Sequence, residues 1–161
     1  MYLGSFMREV DAKGRFLVPA KLKASLSESV GASKRGAAEL VLTLGFERCL
    51  YVFPKSQWME FVRKEIESRS ELSRDTRALK RMLAGNAQTA EIDRQGRLLI
   101  PKVFLEGHLQ LKRGSRRIVV VGTMDHIEIW REEAWRAFSI EMQQDFDEIA
   151  EKISRSGAGA V

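Results

Sequence analysis

Two carboxylate–guanidinium pairs recur at one spacing in this sequence. Asp11 and Arg15 lie in DAKGRFLVP, Asp11 to Pro19, and Asp93 and Arg97 lie in DRQGRLLIP, Asp93 to Pro101. In each, aspartate and arginine flank a short glycine-containing turn, close enough to form an ion pair. The aspartate can cap the turn or hold its arginine in one rotamer. An exposed ion pair stabilises by only ~0–1 kcal/mol, a thin reason to build it twice. A guanidinium fixed on a rigid turn has another use. It can bind phosphate, or read N7 and O6 of guanine through two parallel hydrogen bonds. Lys13 inside the first turn and Arg94 beside Asp93 add positive charge at the tips. The candidate binding residues are therefore Asp11, Lys13, Arg15, Asp93, Arg94 and Arg97.

Other chemistries fit less well. The only histidines, His108 and His126, are far apart and lack metal-ligand spacing. Cys49, the only cysteine, lies in an apolar run and reads as a small core residue. There is no glycine-rich phosphate loop and no nucleophile elbow. An arginine beside each repeated aspartate depresses its pKa and spoils it as a general acid. The sequence predicts no enzyme, no cofactor and no small-molecule substrate.

The elements that carry these pairs are themselves duplicated. Asp11 matches Asp93 at an offset of 82. A second match, GFERCLYVFPKSQWMEF with GTMDHIEIWREEAWRAF, has an offset of 77 and pairs Gly45 with Gly122 and Trp58 with Trp135. The difference falls on the Gly/Ala/Ser-rich stretch around Gly31 to Ala38, which reads as a longer loop. Each unit predicts a strand, a turn closed by a left-handed glycine (Gly14 or Gly96), and a second strand ended by Pro19 or Pro101. The first two strands read as a hairpin. A short helix with Leu22 and Leu26 follows in the first unit, then two β-rich runs, LVLTL and CLYVF, answered by RIVVV and HIEIW. A helix closes each unit, with Trp58, Val62 and Ile66 in the first. In the second, Trp135, Phe138, Met142, Phe146, Ile149 and Ile153 step at a helical period over about five turns. Between the units, Leu72, Leu79 and Leu83 mark a linking helix ended by Gly85, with Arg74, Arg77 and Arg81 on another side, read as a solvated face. The tail SRSGAGAV has nothing to bury and reads as disordered. The divisions expected are a first repeat at 1–68, a linking helix at 69–86, a second repeat at 87–138, and a C-terminal helix and tail at 139–161.

Composition agrees. The 161 residues are 44% hydrophobic, with a net charge of +5 and a pI near 9.6, which favours an anionic partner. Charge is polarised: Arg8 to Lys23 and KRGSRR are basic, while Glu132 to Glu151 is acidic. KRGSRR reads as an exposed loop. No apolar run is long enough for a membrane span, and a lone cysteine suits a reducing cytosol. Four short strands per unit are marginal alone, so two units are expected to pair about a pseudo-two-fold axis.

MYLGSFMREVDAKGRFLVPAKLK and the two D-x-x-x-R motifs, Asp11/Arg15 and Asp93/Arg97, resemble the MraZ family of the SpoVT/AbrB-like superfamily, from Met1 to about Ile153. That resemblance implies an α+β fold, a double-split, swapped-hairpin β-barrel built from two tandem repeats in one chain. It implies ring-shaped homo-oligomers of eight or more subunits. It also implies a nucleoid-associated transcriptional regulator, usually a repressor, on short direct repeats upstream of the division and cell-wall gene cluster. Its partner would be double-stranded DNA, and its binding signature falls on Asp11, Arg15, Asp93 and Arg97. Alternatives of another class are an AbrB-like antitoxin and an oligomeric interaction scaffold.

Overall fold

Phe16 lies opposite Leu98, its own counterpart in the second repeat. Tyr51 likewise lies opposite its counterpart, Glu128. Two ladders thus cross a pseudo-two-fold axis. The structure is a computed structural model and describes residues 1–30, 39–67, 72–111 and 116–157. The predicted loop at 31–38, residues 112–115 of KRGSRR and the last residues, 158–161, lie outside that description.

The strands are β1 (Tyr2–Glu9), β2 (Arg15–Leu17), β3 (Glu39–Leu44), β4 (Leu50–Pro54), β5 (Gln88–Glu91), β6 (Arg97–Leu99), β7 (Arg117–Met124) and β8 (Ile127–Arg131). The helices are α1 (Ala20–Val30), α2 (Lys55–Val62), α3 (Arg74–Gly85) and α4 (Glu132–Gly157). One six-stranded antiparallel sheet runs β1-β7-β8-β4-β3-β5, and β2 with β6 forms a separate two-stranded ribbon. Among the described residues no ladder closes this sheet into a barrel.

The turns form as expected, but the strands beside them do not become hairpins. β1 pairs over its whole length with β7, and β5 pairs with β3. Only one bridge, Ile92 with Leu98, joins the strands flanking the second turn. The first strand of each repeat thus finds its ladder in the other repeat. Alternation at period 2 fixes which face is buried, not which strand lies alongside.

The core is shared between the sheet and the ribbon. Phe16, Val18, Leu98 and Ile100 pack with Leu42, Val52, Val120 and Ile129 in one buried cluster. Leu22 and Leu26, one helical turn apart on α1, are 0% and 2% exposed. Burying each such side chain stabilises by about 1.5–3 kcal/mol. Cys49 is buried just ahead of β4. At the start of α3, the Ser73 hydroxyl accepts from the Thr76 N–H at 3.4 Å, a local N-cap. The Thr43 hydroxyl donates to the Leu83 carbonyl at 2.7 Å and ties α3 to β3. Leu83 is buried as the stripe predicts, but Leu72 precedes the helix and is exposed.

The chain divides into two compact units, Met1–Arg131 and Glu132–Val161. The second is α4, which runs through Ser154–Gly157, so the predicted disordered tail is helical for its first residues. Ion pairs one turn apart explain this extension: Lys152 with Glu148, and Arg155 with Glu151 at 3.1 Å. Among the described residues no helix is long and apolar enough to cross a membrane.

Candidate nucleic-acid interface

Both repeated turns are closed by the same set of bonds. The Asp11 N–H donates to the Arg15 carbonyl at 2.8 Å and the Gly14 N–H to the Asp11 carbonyl at 3.0 Å. In the second turn the Asp93 N–H donates to Arg97 at 2.9 Å and the Gly96 N–H to Asp93 at 2.8 Å. Gly14 and Gly96 have φ of +85° and +80°, a conformation that a side chain disfavours. The turns are also locked to each other. The Val18 N–H donates to the Gly96 carbonyl, and the Ile100 N–H to the Gly14 carbonyl, at 3.0 and 2.8 Å. These two bonds are pseudo-two-fold mates.

Each aspartate has a double role. Asp11 Oδ1 accepts the backbone N–H groups of Lys13 and Arg15 at 2.8 and 2.9 Å. Asp11 Oδ2 accepts Nε and Nη2 of Arg15, both at 2.9 Å. Asp93 repeats the pattern, with Oδ1 taking the N–H groups of Gln95 and Arg97 and Oδ2 taking Nε and Nη2 of Arg97 at 2.8 Å. Capping and rotamer holding are therefore the same act. The bonds from Arg15, backbone first, hold the Asp11 carboxyl down to about 2, against the opposing effect of burial. Arg97 lowers Asp93 in the same way. Both stay ionised at any physiological pH.

A guanidinium carries five N–H donors in a planar fork. The aspartate occupies the Nε side, and Nη1 of Arg15 and of Arg97 has no partner among the described residues. The Nη1–Nη2 edge is left for a second planar acceptor. Both arginines are 29% exposed on the outer face of the β2–β6 ribbon. Arg15 lies opposite Leu99, and Arg97 opposite Leu17. This diagonal places the two arginine backbones roughly 7–8 Å apart.

The structure brings Asp11, Arg15, Asp93 and Arg97 onto one ribbon. Lys13 and Arg94 sit exposed at the two tips, although not as counterparts, since Gln95 takes the place of Lys13. Sequence reasoning missed further residues. Leu17 and Leu99 are 56% and 50% exposed between the arginines. Strict alternation after buried Phe16 was the signal for them. The Lys23 ammonium reaches over the second turn, 3.2 Å from where a Gly96 side chain would begin. Arg8 donates through Nε to the Leu17 carbonyl at 3.1 Å. Arg116 donates to the Asp11 carbonyl at 2.7 Å, so this residue of KRGSRR touches the first turn rather than lying in a free loop. Among the described residues no group of histidine, cysteine and carboxylate side chains could hold a metal.

A protein-family model described as "MraZ protein, putative antitoxin-like" matches the sequence twice, over residues 1–82 and 83–155. The chain belongs to the MraZ family. Each matched stretch of this MraZ-family chain carries one Asp–Arg turn. Relatives span almost its whole length. A protein of Ligilactobacillus salivarius is 35% identical over 95% of this chain and 96% of its own. One of Limosilactobacillus reuteri is 34% identical over 96% and 98%. One of Lachnoclostridium phytofermentans is 36% identical over 98% of both. All three bear the name "Transcriptional regulator MraZ".

Proposed function

We propose that this chain is a sequence-specific DNA-binding transcriptional regulator whose contacts are the paired arginine turns of the β2–β6 ribbon. The observation that carries this reading is the open Nη1–Nη2 edge of Arg15 and Arg97. Each arginine is already spent on one side against an aspartate and presented from a locked turn. A fork held this way matches guanine O6 and N7, or a phosphate, without further ordering. Leu17 and Leu99 beside it suit contact with thymine methyl groups. Lys13, Arg94, Lys23 and Arg8 supply phosphate contacts, which carry affinity but no sequence information.

The wider reading follows from the family and from the repeat. The strand exchange between repeats supports a swapped-hairpin barrel with the ribbon as one wall. Copies assemble into a ring of eight or more subunits, and the ring engages short direct repeats through several equivalent ribbons, with avidity replacing strength at each contact. The regulated promoter is that of the division and cell-wall gene cluster, the outcome is repression, and the protein is cytoplasmic and nucleoid-associated. The names of the relatives support regulation of transcription and not catalysis.

Fluorescence anisotropy with a duplex from upstream of the chain's own gene, against a scrambled duplex, tests this. Arg15→Ala with Arg97→Ala is expected to abolish the preference for the upstream duplex while circular dichroism stays unchanged. An unchanged preference in a folded double variant rejects the ribbon as the reading surface.

A further inference from the structure

The two turns of the ribbon match in backbone but not in what covers them. The Val18 N–H is bonded to the Gly96 carbonyl, and the Lys23 N–H donates to the Pro19 carbonyl at 2.9 Å, so the first turn of α1 carries Lys23 over the second repeated turn. The second repeat takes the same path. Ile100 is bonded to Gly14, and the Leu105 N–H donates to the Pro101 carbonyl at 3.1 Å. Leu105 is therefore the mate of Lys23, at the offset of 82 that relates Asp11 to Asp93. Side chains follow the backbone. Lys23 Nζ and Leu17 Cδ1 lie 3.2 and 3.6 Å from the point where a side chain on Gly96 would begin. Leu105 Cδ1 and Leu99 Cδ1 hold the same places beside Gly14, at 3.0 and 3.5 Å. Leucine thus recurs in one place, while the other holds an exposed ammonium in one half and a buried methyl in the other. Leu17 stands on the outer face with the arginines, so the ammonium lies beside the reading face in the Arg97 half. It has no partner among the described residues. Asp93 is already taken by Arg97 and by the N–H groups of its own turn. The first turn of α1 holds Lys21 and Lys23 and no acid, whereas Lys102 of the other half is answered by Glu106 at 3.8 Å.

We propose that Lys23 is a positioning residue for Arg97: its ammonium holds a DNA phosphate beside the base that Arg97 reads, so that Arg97 is the stronger reader of the pair. This inference rests on the DNA-binding reading above. An ammonium is a compact point charge suited to a phosphate. Phosphate contacts fix register and orientation, and a two-pronged bond from a guanidinium depends on both. Helix α1, anchored by buried Leu22 and Leu26, keeps the charge in this half of the ribbon. Leu105 gives the Arg15 half no such contact. The other cations do not restore the balance. Lys13 and Arg94 place one charge at each tip. Arg116 and Arg8 donate to the Asp11 and Leu17 carbonyls and are held to the backbone. A reader of exact two-fold symmetry is matched to a palindrome. Unequal halves suit a site that has a direction, as one unit of a direct repeat does.

The test is a mutant cycle on the full chain, read by anisotropy as the ratio of affinities for the upstream and the scrambled duplex. Arg97→Ala is expected to lower that ratio roughly tenfold more than Arg15→Ala does. With Lys23→Gln also present, which keeps the stem and removes the charge, the two arginine substitutions are expected to cost the same. Lys23→Gln alone is expected to lower the slope of log K against log salt by about 0.9 and to leave circular dichroism unchanged. Lys23→Arg keeps the charge and is expected to keep the inequality. A merely structural lysine would shift both arginine variants alike and leave their ranking as it was. Equal losses from Arg15→Ala and Arg97→Ala in the presence of Lys23, an inequality that persists in Lys23→Gln, or one that vanishes in Lys23→Arg overturns the role of Lys23 and leaves the ribbon standing. A wild-type chain with no preference for the upstream duplex overturns the functional reading, and this role with it.

Discussion

Gly14 and Gly96 share a backbone conformation but not an environment. A side chain at Gly14 would begin 2.8 Å from the carbonyl oxygen of Ile100, the residue whose N–H donates to Gly14 and helps lock the two turns together. At Gly96 the nearest atom is the Lys23 ammonium at 3.2 Å, the far end of a flexible chain that can move. Both substitutions carry the left-handed strain of about 1–3 kcal/mol, and Gly14→Ala adds a backbone clash. Urea denaturation is expected to rank Gly14→Ala as clearly the more destabilising. Equal losses would mean that the packing of the two turns is not as described. At this scale much is legible in the sequence. Asp, Gly and Arg at fixed offsets dictate turn, cap and ion pair, because every one of those bonds is made within five residues. Lys23, Arg8 and Arg116 are not legible, because their contacts with the turns depend on how distant strands come together.

The elements tell the opposite story from the residues. Strand and helix positions follow from period and punctuation: Leu22 and Leu26 mark α1, and the two β-rich runs of each repeat become β3, β4, β7 and β8. Their partners do not follow, since β1 joins β7 rather than β2. The β7–β8 turn holds a group whose behaviour needs tertiary contacts. His126 donates through Nδ1 to Asp125 at 2.7 Å and has Nε2 3.4 Å from Glu128. Its ring stacks on Phe53 at 4.9 Å and meets Tyr51 edge-on at 4.4 Å. Burial pulls its pKa down, but the Glu128 and Asp125 carboxylates outweigh this and raise it. Burial pushes the facing Tyr51 phenol further above its ordinary value, so it carries no charge across this range. A raised folded-state pKa stabilises fully below the unfolded value of about 6.5 and loses that contribution as pH rises through the folded value. The urea midpoint is therefore expected to fall, relative to that of His126→Gln, as pH is raised from about 6 through the folded-state value. Parallel pH profiles for the two proteins would contradict the assignment.

On the scale of the whole molecule, charge is divided. The ribbon turns and α3 are cationic, whereas α4 carries Glu141, Asp145, Asp147, Glu148 and Glu151. The same α4 exposes Phe146 and Ile153, at 68% and 65%, an apolar stripe suited to contacts between copies in the proposed ring. Geometry and not charge defines the site: the arginines matter as forks held by aspartates. Replacing both by lysine separates the two. Arg15→Lys with Arg97→Lys keeps each positive charge but removes the planar, two-pronged edge. The most direct measurement is the ratio of affinities for upstream and scrambled duplexes, taken with the salt slope, in that double variant. The ratio is expected to collapse towards one with a nearly unchanged slope. A ratio that survives with lysine at both positions would contradict it.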